Sequence, residues 1–380
     1  MRALTNKQRW RLWVGGLSLC LGAQTALAQT FPIKDKPVTI VVPFTAGGPT
    51  DRLARDMAEA LRKPLGVNSI VVENVLGAGG AIATQKVARA APDGHTVLIH
   101  HIGMATMPAL NRNPGFQVDT DFTFLGMIHE VPMSIVARPT MEANDYKQLS
   151  AWISKNKDKV NLGNAGVGSA SHLCGLLWQA AMKTELATIP YKGVSMAITD
   201  LMGGQIDLLC DQTSNTMAYI DGKKIKAYAV TTPKRLPQPT FSQLPTMQEL
   251  GVKGFQISIW HGAYGPKGMS DDTQSKWNAA LRQVLADTAF VTGQGWTVQP
   301  GTLDTIVTRA PTHEPWPYHN RGVNVNTNLN SSATSATPSI ESLAGSAYER
   351  TSATAVQKPI GPEDYVSEPP SIQTVPTNQE

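Results

Sequence analysis

The sequence is short of everything that marks a membrane-spanning, nucleic-acid-binding or nucleotide-binding chain. No stretch beyond the N-terminal segment approaches 18 apolar residues, so the rest of the chain has no candidate spanning helix. Charged residues are 16% and aromatics 6%, which describes neither an acidic disordered tail nor a polybasic arm. The 33 Lys and Arg exceed the 29 Asp and Glu by four. Arg2, Lys7, Arg9 and Arg11 supply that excess, and the first 28 residues carry no acid. The remainder is balanced and has no electrostatic footprint for nucleic acid or anionic lipid. There is no P-loop, and Gly77-Ala78-Gly79-Gly80-Ala81-Ile82 breaks the dinucleotide fingerprint at its last position. No cofactor is implied.

What is present begins with a removable leader. A basic stretch from Met1 to Arg11, an apolar stretch from Leu12 to Ala23, and Ala26-Leu27-Ala28 before Gln29 form a secretory signal-peptide pattern. The apolar run is about 12 residues, where a membrane span needs about 20. Cleavage after Ala28 is expected to leave the mature protein exported. Cys20 leaves with the leader, so only Cys174 and Cys210 enter an oxidising compartment. They read as two buried apolar thiols, one on an amphipathic helix and one in an apolar strand, with a bridge left open.

The mature chain repeats one unit. Val38 to Phe44 is too continuously apolar and β-branched to be half exposed, so it reads as a buried parallel strand. It runs through Thr45-Ala46-Gly47-Gly48-Pro49-Thr50 into a helix with Leu53, Met57 and Leu61 on one stripe, ending before Pro64. Ser69 to Asn74, the turn Gly77-Ala78-Gly79-Gly80 and a helix through Val87 repeat it, and a strand from His95 to His101 follows. This β–α–β–α–β order predicts a doubly wound, mostly parallel sheet.

From Pro132 the pattern starts again. The expected elements are a short strand Met133 to Ala137, a helix around Tyr146 to Asn156, and a strand Val160 to Asn164. The turn Ala165 to Ser171 then opens a helix carrying Leu173, Leu176 and Leu177. Strands at 187–191, 206–210 and 226–230 and a helix at 194–202 complete this half. The strand 255–260 and the helix 271–286 have no partners left in it and return to the first half. Of the last 80 residues, 35 are Ser, Thr, Pro or Asn, a tract unable to offset its ordering entropy. The predicted organisation is a leader at 1–28, lobe 1 at 29–131 plus 256–292, lobe 2 at 132–255, and a largely disordered tail at 293–380.

Three Gly-rich turns lead from strand ends into helix N-termini, where open α/β sheets bind ligands and where amides and the helix dipole favour an anion. Gly47, Gly48, Gly79, Gly80, Gly166 and Gly168 let the main chain approach closely or take positive φ. Thr50, Ser169 and Ser171 are N-cap candidates with hydroxyls to offer a carboxylate, and Asp51 is a further cap. Catalytic readings are weaker. No G-x-S-x-G elbow exists, since Ala170 stands where the last glycine belongs. His100 and His101, adjacent on a strand, are expected to face opposite ways and share no metal. Ser169 and His172 are the one nucleophile-and-base pairing to consider, without an evident orienting carboxylate.

Pro43-Phe44-Thr45-Ala46-Gly47-Gly48-Pro49-Thr50-Asp51 followed by Ala54-Arg55 resembles the P-F-x-x-G-G-x-x-D motif of Bug-type receptors, the periplasmic substrate-binding components of tripartite tricarboxylate transporters. Further segments are similar in the same order: Val72-Glu73-Asn74, Gly77 to Gly80, Ala91-Pro92-Asp93-Gly94, Gly166-Val167-Gly168-Ser169 with His172-Leu173, Pro190-Tyr191-Lys192-Gly193, Gly203 to Asp207 and Pro245-Thr246. The resemblance covers residues 30–290. It implies an α/β, two-lobed periplasmic binding protein, type II-like, with a cleft between lobes that closes on a small carboxylate. It implies a non-enzymatic monomer partnered by membrane permease subunits; a sensor kinase is the alternative partner. Transferred by position, the ligand contacts are Phe44, Thr45, Ala46, Gly47, Gly48 and Asp51 in lobe 1, and Gly166, Gly168, Ser169, Tyr191 and Asp211 in lobe 2. Gly79 and Gly80 line the cleft. The family's C-terminal helical region is replaced here by the Ser/Thr/Asn-rich tail.

Overall fold

The structure, a computed structural model, describes residues 30–111, 113–287 and 290. The leader and the tail read from the sequence lie outside these residues.

Strand β1 (Val38–Val42) pairs in parallel with β2 (Ile70–Asn74), Val38 opposite Ile70, and with β3 (Thr96–His101), Thr39 opposite Thr96. Between them run helices α1 (Pro49–Leu65) and α2 (Ala81–Ala88), the latter after a 3₁₀ turn at Ala78–Gly80. Leu53, Met57 and Leu61 of α1 are buried at helical spacing, as the sequence pattern requires. Contrary to expectation, α1 passes through Pro64 before Gly66, at φ 66°, caps it. Pro64 in the last turn removes one donor without disturbing the turns before it.

Helices α3 (Gly103–Leu110) and α4 (Val118–Asp121) lead into β4 (Phe122–Ala137). The sequence reading placed only a short strand at Met133; β4 instead runs for 16 residues. Its first part pairs antiparallel with β9 (Ser258–Pro266), down to Pro132 opposite Ser258. From Met133 it pairs with β7 (Leu208–Gln212) on one side and β8 (Lys226–Val230) on the other. Pro132 is tolerated because the strand changes partners there. Within that second set, β5 (Asn161–Asn164) pairs in parallel with β6 (Ala187–Pro190) and β7. The described strands therefore form one path, β2-β1-β3-β9-β4-β7-β5-β6, with β8 on β4. A parallel core lies at each end, and antiparallel crossing strands join them.

Helices α5 (Tyr146–Asn156), α6 (Ala170–Met182), α7 (Val194–Met202), α8 (Thr213–Asp221) and the short α9 (Pro239–Ser242) belong to the second half. Here Leu149, Ile153, Leu162 and Trp178 share a core with Ile135. Helix α10 (Asp271–Leu285) packs on α1, placing Trp277 and Leu281 beside Met57 and Leu61. The fully buried indole of Trp277 donates to Gly94 O at 3.1 Å. Cys174 of α6 and Cys210 of β7 are bonded to each other, with Cα atoms 6.0 Å apart. The reading as two separate thiols is corrected; their Cα separation, invisible in sequence, is ordinary for a disulfide. Among the described residues, no helix is long and apolar enough to cross a membrane.

Candidate binding cleft

The turn after β1 is held by one carboxylate. Asp51, in the first turn of α1, is buried and accepts from Gly47 N at 2.8 Å, Asn74 Nδ2 at 2.9 Å and the Arg55 guanidinium at 3.0 Å. Burial alone would raise its pKa; the hydrogen bonds from Arg55, Gly47 and Asn74 outweigh it and hold the group below the usual carboxylate range. Gly48 rather than a side chain occupies the N-cap, with φ −77° and extended ψ, so neither Thr50 nor Asp51 takes that position. Asn74 Nδ2 also donates to Phe44 O at 2.9 Å, tying the strand end to the same group.

The corresponding turn after β5 is tied differently. Ser169 caps α6, its hydroxyl accepting from His172 N at 3.2 Å. Ser171, inside the helix, accepts from Ala165 N at 2.8 Å instead of capping. His172 Nδ1 accepts from Gly168 N at 3.3 Å, and burial lowers this imidazole to about 4. The ring is thus directed to the main chain of its own turn, not to the Ser169 hydroxyl.

Both turns meet in one cavity of about 20 Å³, room for about one water-sized group. Its lining includes Gly48, Pro49 and Thr50 at the start of α1, Ala170 and Ser171 at the start of α6, and Val194 at the start of α7. Phe44, His101, Ala165, Asp211 and Gln212 complete the walls, with no lysine or arginine among them. First-turn amides of a helix have no intrahelical acceptor, so three helix N-termini present donors and positive dipole ends to one small space. Asp211 is buried there; burial pushes its carboxyl up to about 7, against hydrogen bonds from Asn215 and Gln212 and the field of Arg52. Asn215 Nδ2 reaches it at 2.6 Å.

The two halves touch around this cavity. Thr45 Oγ1 is hydrogen-bonded to Ser195 Oγ, and Thr106 Oγ1 donates to Gly168 O at 3.4 Å. At Gly79, φ is 63° and a Cβ would stand 1.8 Å from Val167 O, so only glycine permits this approach. Gly166 packs against Gly79 and Tyr191 O, while the Tyr191 phenol turns away and donates to Asp200 at 2.7 Å. Ala46 and Gly47 are exposed, and Gly80 lies against the His100 imidazole. Of the thirteen positions expected from sequence, Phe44, Gly48 and Asp211 line the cavity itself, and the other ten are not among its lining residues.

The two histidines at the end of β3 do not face opposite ways. Their ring centroids are 4.8 Å apart, and Phe44 stacks on His101 at 4.7 Å and meets His100 edge-on at 5.6 Å. Strand alternation ends at His101, where the chain turns into α3, and His101 N donates to His100 Nδ1 at 2.8 Å. No group of three or more His, Cys, Asp or Glu suited to a metal occurs among the described residues. Thr50 and Ser171, expected from sequence to offer hydroxyls at helix starts, line the cavity, whereas sequence reasoning passed over His101, Val194 and Gln212. The Lys192-Gly193 turn pointed to Val194.

Two α/β lobes joined by crossing strands, with helix N-termini meeting at the cleft, define a periplasmic binding protein. Solved proteins of this class superpose on the chain. The periplasmic binding protein BugD does so with a TM-score of 0.67 and 48% identity, covering 70% of this chain and 89% of its own. MatC from Rhodopseudomonas palustris, with bound malate, has a TM-score of 0.66 and 34% identity, covering 70% and 91%. A UPF0065 protein from the TAR-I ttuE-ttuC' intergenic region of Agrobacterium vitis is 44% identical over 251 residues, 66% of this chain and 72% of that protein. The model of the tripartite tricarboxylate transporter family receptors matches residues 53–295, and the chain belongs to that family.

Proposed function

We propose that this chain is the exported receptor of a tripartite transporter and captures a small carboxylate-bearing solute, an organic acid or an amino acid, in the cleft. The observation that carries the reading is the convergence of the first turns of α1, α6 and α7, from both lobes, on one cavity without a cationic side chain. Each hydrogen bond to a charged group contributes about 1.5–3 kcal/mol, so four or five reach the roughly 8 kcal/mol of a micromolar complex after association costs. The malate held by MatC is of this chemical class. The turns at 44–50 and 165–169 hold the solute through the first-turn amides of the helices they open, since Gly47 N and Gly168 N are already bonded within their own turns, with Gly79, Gly80 and Asp211 bounding it. Asp51 and Tyr191 act by shaping their turns.

In this reading lobe 1 comprises 29–131 with 256–292, lobe 2 comprises 132–255, and the partner change at Pro132 marks the hinge. The leader is removed after Ala28, and the closed monomer is presented to membrane permease subunits. The Ser169 and His172 hydrolase has no support, because the hydroxyl caps α6 and the imidazole faces Gly168 N. Titration calorimetry with succinate, L-malate, adipate, L-aspartate and L-glutamate tests the proposal. At least one is expected to bind at micromolar concentration, and a folded protein blind to all five overturns it.

A further inference from the structure

A chain of polar groups runs from the crossing strands into the cleft. His129 of β4 and His261 of β9 are register partners across the antiparallel pair, with His129 Nε2 and His261 Nδ1 3.0 Å apart. The other nitrogen of His261, Nε2, lies 3.2 Å from Thr50 Oγ1. His129, His261 and Thr50 are 3%, 0% and 2% exposed, and Thr50 lines the cavity. His101 stands edge-on to His261, its centroid 5.8 Å away, and His100 lies beyond it. Burial holds all four imidazoles neutral.

Neutrality makes the chain directional. A neutral imidazole with a partner on each nitrogen donates from one and accepts at the other. If His261 carries its proton on Nδ1, it donates to His129, and Nε2 accepts the Thr50 hydroxyl proton. Thr50 then shows only lone pairs to the cavity. If His129 donates, His261 carries its proton on Nε2 and gives it to Thr50 Oγ1, and the Thr50 proton turns into the cavity. Beside the first-turn amides of α1, only the second arrangement suits a carboxylate. We propose that His261, held in its Nε2–H form by a hydrogen bond from His129, is a positioning residue that makes Thr50 a hydrogen-bond donor to the solute. This rests on the reading of the cleft as a carboxylate site.

Two measurements on the full chain decide it. Two-bond ¹H–¹⁵N correlation of histidine-labelled protein reads the tautomer directly, and His261 is expected to be protonated at Nε2. Calorimetry then uses whichever of succinate, L-malate, adipate, L-aspartate or L-glutamate binds the wild type most tightly. Thr50→Val is expected to weaken binding by roughly tenfold to a hundredfold, the worth of one hydrogen bond to a charged group. Thr50→Ser restores it to within about threefold, since the hydroxyl remains. His261→Gln, whose amide N–H replaces the donor, retains most of the affinity, whereas His261→Leu loses it, and Leu adds nothing further once Thr50 is Val. A merely structural histidine would give independent losses. An Nδ1–H tautomer, undiminished binding in a folded Thr50→Val protein, or additive losses in the double variant overturns the proposal while leaving the carboxylate reading intact. A folded wild type that binds none of the acids removes both.

Discussion

The hydroxyl of Thr45, at the turn after β1, is hydrogen-bonded to the hydroxyl of Ser195 in the first turn of α7. The contact joins the two lobes at the cleft rim, and Gly193 is what leaves room for it. A Cβ at Gly193 would stand 2.0 Å from Thr45 Oγ1 and 2.7 Å from Thr45 N. Gly193 has φ 171°, extended backbone that any residue adopts, so alanine there meets no local strain.

Gly193→Ala should therefore act as a wedge between lobes and leave each lobe folded. An overpacking cost of about 1–3 kcal/mol falls on the closed form alone, weakening solute binding by roughly five- to 150-fold. Small-angle scattering with and without saturating solute checks it. The wild type should contract on binding; the variant should stay extended at solute concentrations that close the wild type, with an unchanged Tm when solute-free.

Asp51 offers the opposite case, a residue whose loss acts through its loop. Asp51→Ala removes the acceptor for Gly47 N, Asn74 and Arg55 together. With Arg55 half exposed, the cost is reduced by solvent screening to about 2–3 kcal/mol. Because its folded pKa is depressed, its stabilisation is present above the ordinary carboxylate range and lost as pH falls through the folded value. Urea unfolding should show the variant weaker than wild type at pH 7, the gap narrowing below pH 4.

The parallel units were legible because their central strands β1, β3 and β7 are buried on both faces and the turns after β1, β2 and β5 carry glycine. α8 was not: Thr213-Ser214-Asn215-Thr216 is a poor helix opening, and what holds it is tertiary, Thr213 Oγ1 on Pro132 O and Asn215 on Asp211. β4 was cut short because Pro132 reads as a breaker, and only the partner change explains its survival. The two Gly-rich turns of the site were visible as motifs. The tie of the first of them to His261, 211 residues from Thr50, leaves no local signal.

The Cys174–Cys210 bond spans 36 residues, for which the chain-entropy account gives about 4 kcal/mol, and measured cases give about 2–4. It lies inside lobe 2, linking α6 to β7, the elements that bring Ser171 and Asp211 to the cavity. Replacing both cysteines by alanine should lower Tm by several degrees and leave solute affinity within about threefold, since neither sulfur lines the cavity. Thermal melts of oxidised, reduced and doubly substituted protein test this; equal Tm in all three would contradict it.

The cleft should also give the protein opposing pH dependences. Asp211 has a carboxyl pushed up to about 7 by burial, against an ordinary 3.8, so the folded form binds the proton more tightly than the unfolded chain. Its contribution is therefore full below the unfolded value and lost as pH rises towards 7, by up to about 4 kcal/mol as an order of magnitude. The buried histidines run the other way. His101 and His129, lowered to about 3, and His172, lowered to about 4, contribute stability present above 6.5 and lost as pH falls towards those values. With several imidazoles against one carboxyl, stability should rise from pH 4 to 6.5 and then level off. Asp211→Asn removes only the opposing slope, so its advantage over wild type should grow from pH 5 to 8 in urea titrations. Anionic solute should follow the same carboxyl, binding wild type more weakly at pH 8 than at pH 6, because an ionised Asp211 faces it, and that difference should vanish in Asp211→Asn.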